Sequence, residues 1–280
     1  MEGFISKIQR YSINDGPGVR STVFAVGCPM CCRWCANPEL METGPKILYH
    51  RRRCVKCGAC AAYTDLEQCA DACFYDAYER VGVTITTDDL ASKLLRDKVF
   101  YDQSSGGVTY SGGEAAMQAD FFLELTRLLK AEDVHVALDT SGYTPRESLM
   151  RLANAVDLVL YDIKTLDSDL HMKLTGVDNA LILENAREIA KADCEMIVRL
   201  IIIPGVNDSD KEMIGRLDFV RSLGSVKQVD LLKFHKLGVG KYEALGLDDP
   251  MQCTPECPDE LAGRMAKIAE DMGFIVTIGG

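Results

Sequence analysis

Short apolar runs alternate with amphipathic stretches along most of this chain. Residues 19–26, Val-Arg-Ser-Thr-Val-Phe-Ala-Val, are rich in β-branched and aromatic side chains and predict a buried strand. Residues 108–111 predict a second strand, followed by a helix over 119–131. A strand over 134–139 leads to a helix from about 145 to 155, with Pro145 suited to the first turn. Residues 158–163 read as a strand, with helical patterns near 169 and over 181–191. The alternation continues through 195–203, 208–223, 227–234 and 259–272. Strand and helix at this spacing predict βαβ units and a parallel sheet. About six units fit, which favours an α/β fold of the incomplete (β/α)6, TIM-like barrel kind. A flat doubly wound sheet has the same periodicity.

Residues 47–83 break the pattern. They hold five cysteines, a basic run Arg51-Arg52-Arg53 and little helical periodicity. A stretch this short has no apolar core of its own and needs a metal or cluster to fold. The expected organisation is therefore a barrel over 1–46 and 84–280 with a cysteine-rich insert at 47–83.

Composition narrows the chemistry. The 280 residues carry 31 Lys and Arg against 42 Asp and Glu, a formal net charge of −11, so no basic surplus exists to neutralise nucleic-acid phosphates. Residues 1–10 lack the apolar core of a signal peptide. The longest apolar stretch, around 197–206, is interrupted by Arg199 and Pro204 and is too short for a bilayer. Neither nucleic acid nor membrane is an expected partner, and a cytoplasmic location is expected. Disulfides are rare there, so the twelve cysteines point to metal. Nine of the twelve lie between Cys28 and Cys73.

Cys28-Pro-Met-Cys31-Cys32-Arg-Trp34-Cys35 directly follows the first predicted strand. Cys28, Cys32 and Cys35 supply three thiolates from one tight loop. On a cubane 4Fe–4S cluster three ligands leave one iron open, the arrangement of a catalytic rather than a structural centre. A structural zinc site normally takes four ligands in separated pairs, a disulfide framework suits another compartment, and chance clustering sits poorly with this density. Cys31 reads as a bystander pointing away.

With its flanks Asp15-Gly-Pro-Gly-Val-Arg20 and Asn37-Pro38-Glu39, this loop resembles the radical S-adenosylmethionine (SAM) enzymes that activate glycyl radical enzymes, the pyruvate formate-lyase activating enzyme-like family. The resemblance extends through Gly112-Gly113-Glu114, Asp139-Thr140, Asp162-Ile163-Lys164, Arg199 and His235. It implies that Gly112, Gly113 and Glu114 receive the ammonium of SAM, with the glycines allowing close backbone approach. Lys164, also counted as catalytic, and Arg199 would meet its carboxylate or ribose. Asn37 would contact adenine, His235 and Trp34 would line the pocket, and a monovalent cation could sit near Asp139. An unpaired charge inside the apolar strand around Arg199 would be costly, which independently points to function. His50, His135 and His171 read as surface or packing residues. Ala115, Ala116 and Lys233 depart from the family pattern, which bears on local backbone shape and partner docking.

The implied activity is reductive cleavage of SAM to a 5′-deoxyadenosyl radical, which abstracts the α-hydrogen of a glycine on a glycyl radical enzyme under anaerobic conditions. Flavodoxin or ferredoxin would be the electron donor. Cys54-x2-Cys57-x2-Cys60 resembles the start of a ferredoxin motif. Five cysteines cannot ligate two clusters, so one auxiliary 4Fe–4S cluster is expected on Cys54, Cys57, Cys60 and Cys73, with Cys69 the alternative to Cys73 and zinc the alternative to the cluster. Cys194, Cys253 and Cys257 stay unassigned. The competing functions are a radical SAM enzyme with a small-molecule substrate and an iron–sulfur electron-transfer protein without turnover.

Overall fold

A computed structural model describes residues 1–279. In chain order the elements are β1 (Glu2–Ser12), β2 (Arg20–Ala25), β3 (Lys46–Tyr49), α1 (Leu66–Ala72), β4 (Tyr78–Val81), β5 (Val83–Thr86), α2 (Thr87–Leu94) and α3 (Lys98–Ser104). Then follow β6 (Gly107–Gly112), α4 (Ala119–Lys130), β7 (His135–Thr140), α5 (Arg146–Ala153), β8 (Leu158–Asp162), α6 (Ser168–Thr175) and α7 (Ala180–Ile189). The chain ends with β9 (Glu195–Ile202), α8 (Asp210–Ser222), β10 (Gln228–Lys233), α9 (Val239–Ala244), α10 (Asp259–Asp271) and β11 (Ile275–Gly279).

The main sheet runs β11-β10-β9-β8-β7-β6-β2-β1-β5. From β2 through β11 every neighbouring pair is parallel, as the alternation predicted. Burial alternates in kind along these strands. Val136 and Leu138 of β7, Val159 and Tyr161 of β8, and Val198, Leu200 and Ile202 of β9 join the large core shared with the helices. The intervening Ala137, Leu158, Leu160 and Ile197 form a separate small core on the other face. Continuing that second face toward the carboxyl ends places Asp139, Asp162, Arg199 and Ile201 around one cavity, which also takes Ser111 of β6 and Leu232 of β10. Parallel strands put their reactive groups at this end.

Local signals fix the helices. Ser209 accepts the amide of Glu212 at 3.2 Å to start α8, Asp167 accepts that of Leu170 at 2.9 Å to start α6, and Thr86 starts α2 the same way. Gly176, with φ +82°, ends α6.

Five strands are not foreseen by the sequence reading, three in the main sheet and two in a separate ribbon. β1 and β5 add antiparallel edges beside β2, and β11 adds a parallel edge beyond β10. Residues between β3 and β4 lie outside the main sheet. Those two strands pair antiparallel as a separate ribbon, with Tyr49 opposite Tyr78 and their rings 5.0 Å apart. Among the described residues, no helix is long and apolar enough to cross a membrane.

Candidate active site

The loop after β2 is stitched on three sides. Cys28 N–H donates to Met41 O at 2.9 Å, Cys31 N–H to Thr175 O at 2.8 Å, and Arg33 N–H to Leu174 O at 3.0 Å. The last two acceptors are carbonyls at the end of α6, which have no partner within the helix. Glu114 N–H completes the seam on Gly27 O at 2.8 Å. Cys28, Cys32 and Cys35 turn into the cavity, whereas Cys31 is exposed and does not line it.

Burial pushes the Cys28 and Cys32 thiols up to about 12, and raises Cys35 too. Amides oppose this: the Met30 N–H favours the Cys28 thiolate, and the Asn37 N–H donates to Cys35 Sγ at 3.4 Å. Three half-buried thiols that charge only at a cost, two of them served by amide donors, have the donor chemistry of a metal centre, which would replace the protons.

Glycine is required at the end of β6. A Cβ on Gly113 would fall 2.2 Å from Gly27 O, and one on Gly112 (φ +102°) 2.6 Å from Ala25 N. Both glycines line the cavity. Glu114 differs from expectation. Its buried carboxylate accepts from Thr140 Oγ1 at 2.8 Å, Ser141 N–H at 2.9 Å and Ser141 Oγ at 2.6 Å, and it does not line the cavity. It joins the ends of β6 and β7.

The strand-end charges are mutually paired. Arg199 holds Asp139 through Nη2 and Asp162 through Nε at 2.9 Å, while Lys164 Nζ reaches the other oxygen of Asp162 at 2.9 Å. Ser111 Oγ donates to Asp139 at 2.6 Å. Burial pushes Asp139 up to about 7 despite the guanidinium. The Arg199 guanidinium lies against Asp139, near which the resemblance implies a monovalent cation. Thr140, the next residue, donates its hydroxyl to Glu114. Lys164 is held charged by Asp162, with Nζ 6.0 Å from the centre of the Trp34 ring.

Asn37 and His235 also line the cavity, which has a volume of about 250 Å³. Sequence reasoning missed Lys241, whose ammonium donates to Asn37 Oδ1 and to Glu39 Oε1, both at 2.6 Å. It lies 204 positions from Asn37 and has no motif around it. Asp162 and Ser111 lie in the predicted strands 158–163 and 108–111, but the sequence reading gives them no role.

In the ribbon region, Tyr78 Oη donates to Cys60 Sγ at 3.8 Å, and Tyr49 lowers Cys54 by hydrogen bonding. Cys73 Sγ accepts the Ala77 N–H at 3.4 Å. Buried Cys69 instead donates to the carbonyls of Cys60 and Tyr63 at 3.9 and 3.8 Å. His171, also buried, bonds Val177 O at 2.7 Å beneath the end of α6, a packing role as expected.

Comparison with known proteins finds relatives over nearly the whole chain. Residues 22–217 match the model of the radical SAM superfamily. The chain is 35% identical to the choline trimethylamine-lyase activating enzyme of Oleidesulfovibrio alaskensis, over 99% of this chain and 98% of that one. It is 36% identical to the trans-4-hydroxy-L-proline dehydratase activating enzyme of Clostridioides difficile, over 100% of both. A solved domain of a pyruvate-formate lyase-activating enzyme from Bacteroides vulgatus aligns with TM-score 0.53 and 28% identity, covering 62% of this chain and 99% of that one. The chain therefore belongs to the radical SAM superfamily, and within it to the enzymes that activate glycyl radical enzymes.

Proposed function

We propose that Cys28, Cys32 and Cys35 hold the 4Fe–4S cluster of this activase, and that SAM lies in the adjoining cavity against Asn37, Gly112, Gly113, Asp139, Lys164, Arg199 and His235. The observation that carries this reading is that the three thiols and the polar ends of consecutive parallel strands line one cavity. When bound, the cluster supplies the electron that cleaves the carbon–sulfur bond of SAM, giving methionine and a 5′-deoxyadenosyl radical that takes the α-hydrogen of a glycine on the partner enzyme.

The residues then divide the work of binding. Lys164 is nearly buried and has a single carboxylate partner, so it can turn its ammonium to the carboxylate of SAM. Asp139 and the Gly112–Gly113 backbone offer oxygen to the ammonium of SAM. Arg199, held through Nε and Nη2, keeps both aspartates in place at the cavity wall. Trp34, Phe234 and His235 wall the site and exclude water, which would quench a carbon radical's selectivity by loosening its substrate.

An auxiliary 4Fe–4S cluster on Cys54, Cys57, Cys60 and Cys73 completes the reading. The donor set supports Cys73 over Cys69: Cys73 accepts an amide, which suits a thiolate ligand, whereas Cys69 donates a proton to two carbonyls. The setting is anaerobic and cytoplasmic, with flavodoxin or ferredoxin supplying electrons. The test is anaerobic reconstitution followed by reductant, SAM and a candidate glycyl radical enzyme. A glycyl doublet in the EPR spectrum is expected. SAM cleavage with no radical on any candidate would overturn the proposed protein substrate.

A further inference from the structure

The molecule is acidic overall, with a formal net charge of −11. One face is not. Arg51, Arg52 and Arg53 follow β3 in a turn and all three are exposed, as is Lys56. Among the described residues, neither Arg51, Arg52 nor Lys56 makes an ion pair; Arg53 approaches Glu79 at 3.7 Å. The arginines form one wall of a groove of about 460 Å³ whose other wall is the α9 segment, with Lys241 and the exposed apolar Leu237 and Val239. Leu237 is 77% exposed. Glu243 is the only carboxylate among the groove's lining residues.

No cysteine lines the groove, but its two walls adjoin the two cysteine groups. The arginine run leads directly into Cys54. On the opposite wall Lys241 grips Asn37, and Gly238, which does not itself line the groove, packs so closely that a Cβ there would lie 2.7 Å from Cys35 O. No other basic run of this kind occurs in the sequence.

We propose that this groove docks the acidic face of a protein that carries a single transferable electron. The proposal rests on the reading of Cys28, Cys32 and Cys35 as the SAM-cleaving centre. That chemistry consumes one electron per SAM: the docked carrier is oxidised by one electron, an iron–sulfur centre is reduced by one, and the electron ends in the breaking carbon–sulfur bond. The carrier must come from outside the chain and leave after each transfer. Encounters of that kind use small interfaces and are steered by charge. A basic patch with an exposed apolar floor fits them, and without it the net charge of this chain would repel an acidic carrier.

The test uses the reconstituted full chain carrying Arg51→Glu and Arg52→Glu, neither of which belongs to the site described above. SAM cleavage is followed as release of 5′-deoxyadenosine, driven either by photoreduced acidic flavodoxin or by titanium(III) citrate. With flavodoxin below saturation, the rate is expected to fall about tenfold at low ionic strength, and the salt sensitivity of the unaltered chain should vanish. With titanium(III) citrate the rate should be unchanged. The milder Arg51→Gln, Arg52→Gln pair should fall between.

An unchanged flavodoxin-driven rate overturns the proposal. So does equal loss with both reductants, which would mean damage rather than lost docking. Normal SAM cleavage but weaker glycyl radical formation under titanium(III) citrate would assign the groove to the glycyl radical enzyme and also overturn it. Absence of cleavage by the unaltered chain with titanium(III) citrate fails the underlying reading, and the docking proposal falls with it.

Discussion

The ammonium of Lys241 lies 2.6 Å from Oδ1 of Asn37 and fixes which way that amide points. An ammonium only donates, so the carbonyl oxygen must face Lys241 and the NH2 must face away from it. Asn37 lines the cavity, so a donor is presented there. Glu39 completes the clamp at 2.6 Å with a carboxylate that is 4% exposed, and its Oε2 has no other partner.

Replacing Lys241 with Met should therefore do two separable things. Stranding the buried Glu39 carboxylate should lower stability by about 3 kcal/mol. Freeing the Asn37 amide should also weaken SAM binding. Adding Glu39→Gln should restore most of the stability, read by thermal unfolding, but not the SAM affinity, read by titration. Recovery of both would mean that Lys241 acts on the fold alone.

Gly113 is a steric requirement. Ala at this position would drive its Cβ toward Gly27 O, 2.2 Å away in the present backbone, and the Gly27–Cys28 segment would have to move. Gly113→Ala is expected to cost about 1–3 kcal/mol from overpacking. It should lower the iron retained by Cys28, Cys32 and Cys35 while leaving the ribbon region's iron in place. EPR of the reduced protein, with iron analysis, would separate the two. Full retention of both centres would show that the loop tolerates the shift.

Much of this site was legible because its chemistry sits on local sequence. Three cysteines within eight positions need no tertiary information, and Arg199 stands out as a charge inside the apolar run Val198–Ile203. What escaped depends on partners remote in sequence. Lys241 meets Asn37 only through packing of α9 on the turn after the cysteine loop. Glu114 reads as a free carboxylate until Thr140 and Ser141 are brought beside it. The missed strands of the main sheet share one cause: β1, β5 and β11 lie at or near its edges, where one face or more stays wet. Their apolar runs are correspondingly thin, as in Glu2–Ser12 with exposed residues along its second half.

The cysteine pair in the ribbon region gives a direct count. Cys73 accepts the amide of Ala77, and Cys69 donates to the carbonyls of Cys60 and Tyr63. Cys73→Ser should reduce the iron content from about eight to about four per chain after reconstitution, because one cubane loses a ligand. Cys69→Ser should retain about eight, since on this reading Cys69 is not a cluster ligand. The reverse pattern would assign Cys69 to the auxiliary cluster.

Asp139 makes SAM binding depend on pH. Burial raises its carboxyl to about 7, well above the ordinary 3.8, so near neutrality part of the population is protonated. If the ammonium of SAM is received by Asp139, binding requires the ionised form and displaces that proton. The sign follows: affinity should rise as pH increases through about 7. The ionised fraction of such a group grows about tenfold from pH 6 to pH 8, and the apparent dissociation constant should fall by a similar factor. Asp139→Asn removes the titration and should flatten the profile while weakening binding throughout, because Arg199 then loses one of its two carboxylates. SAM titration at the two pH values in both proteins measures this. A slope that survives in Asp139→Asn would place the titrating group elsewhere in the cavity.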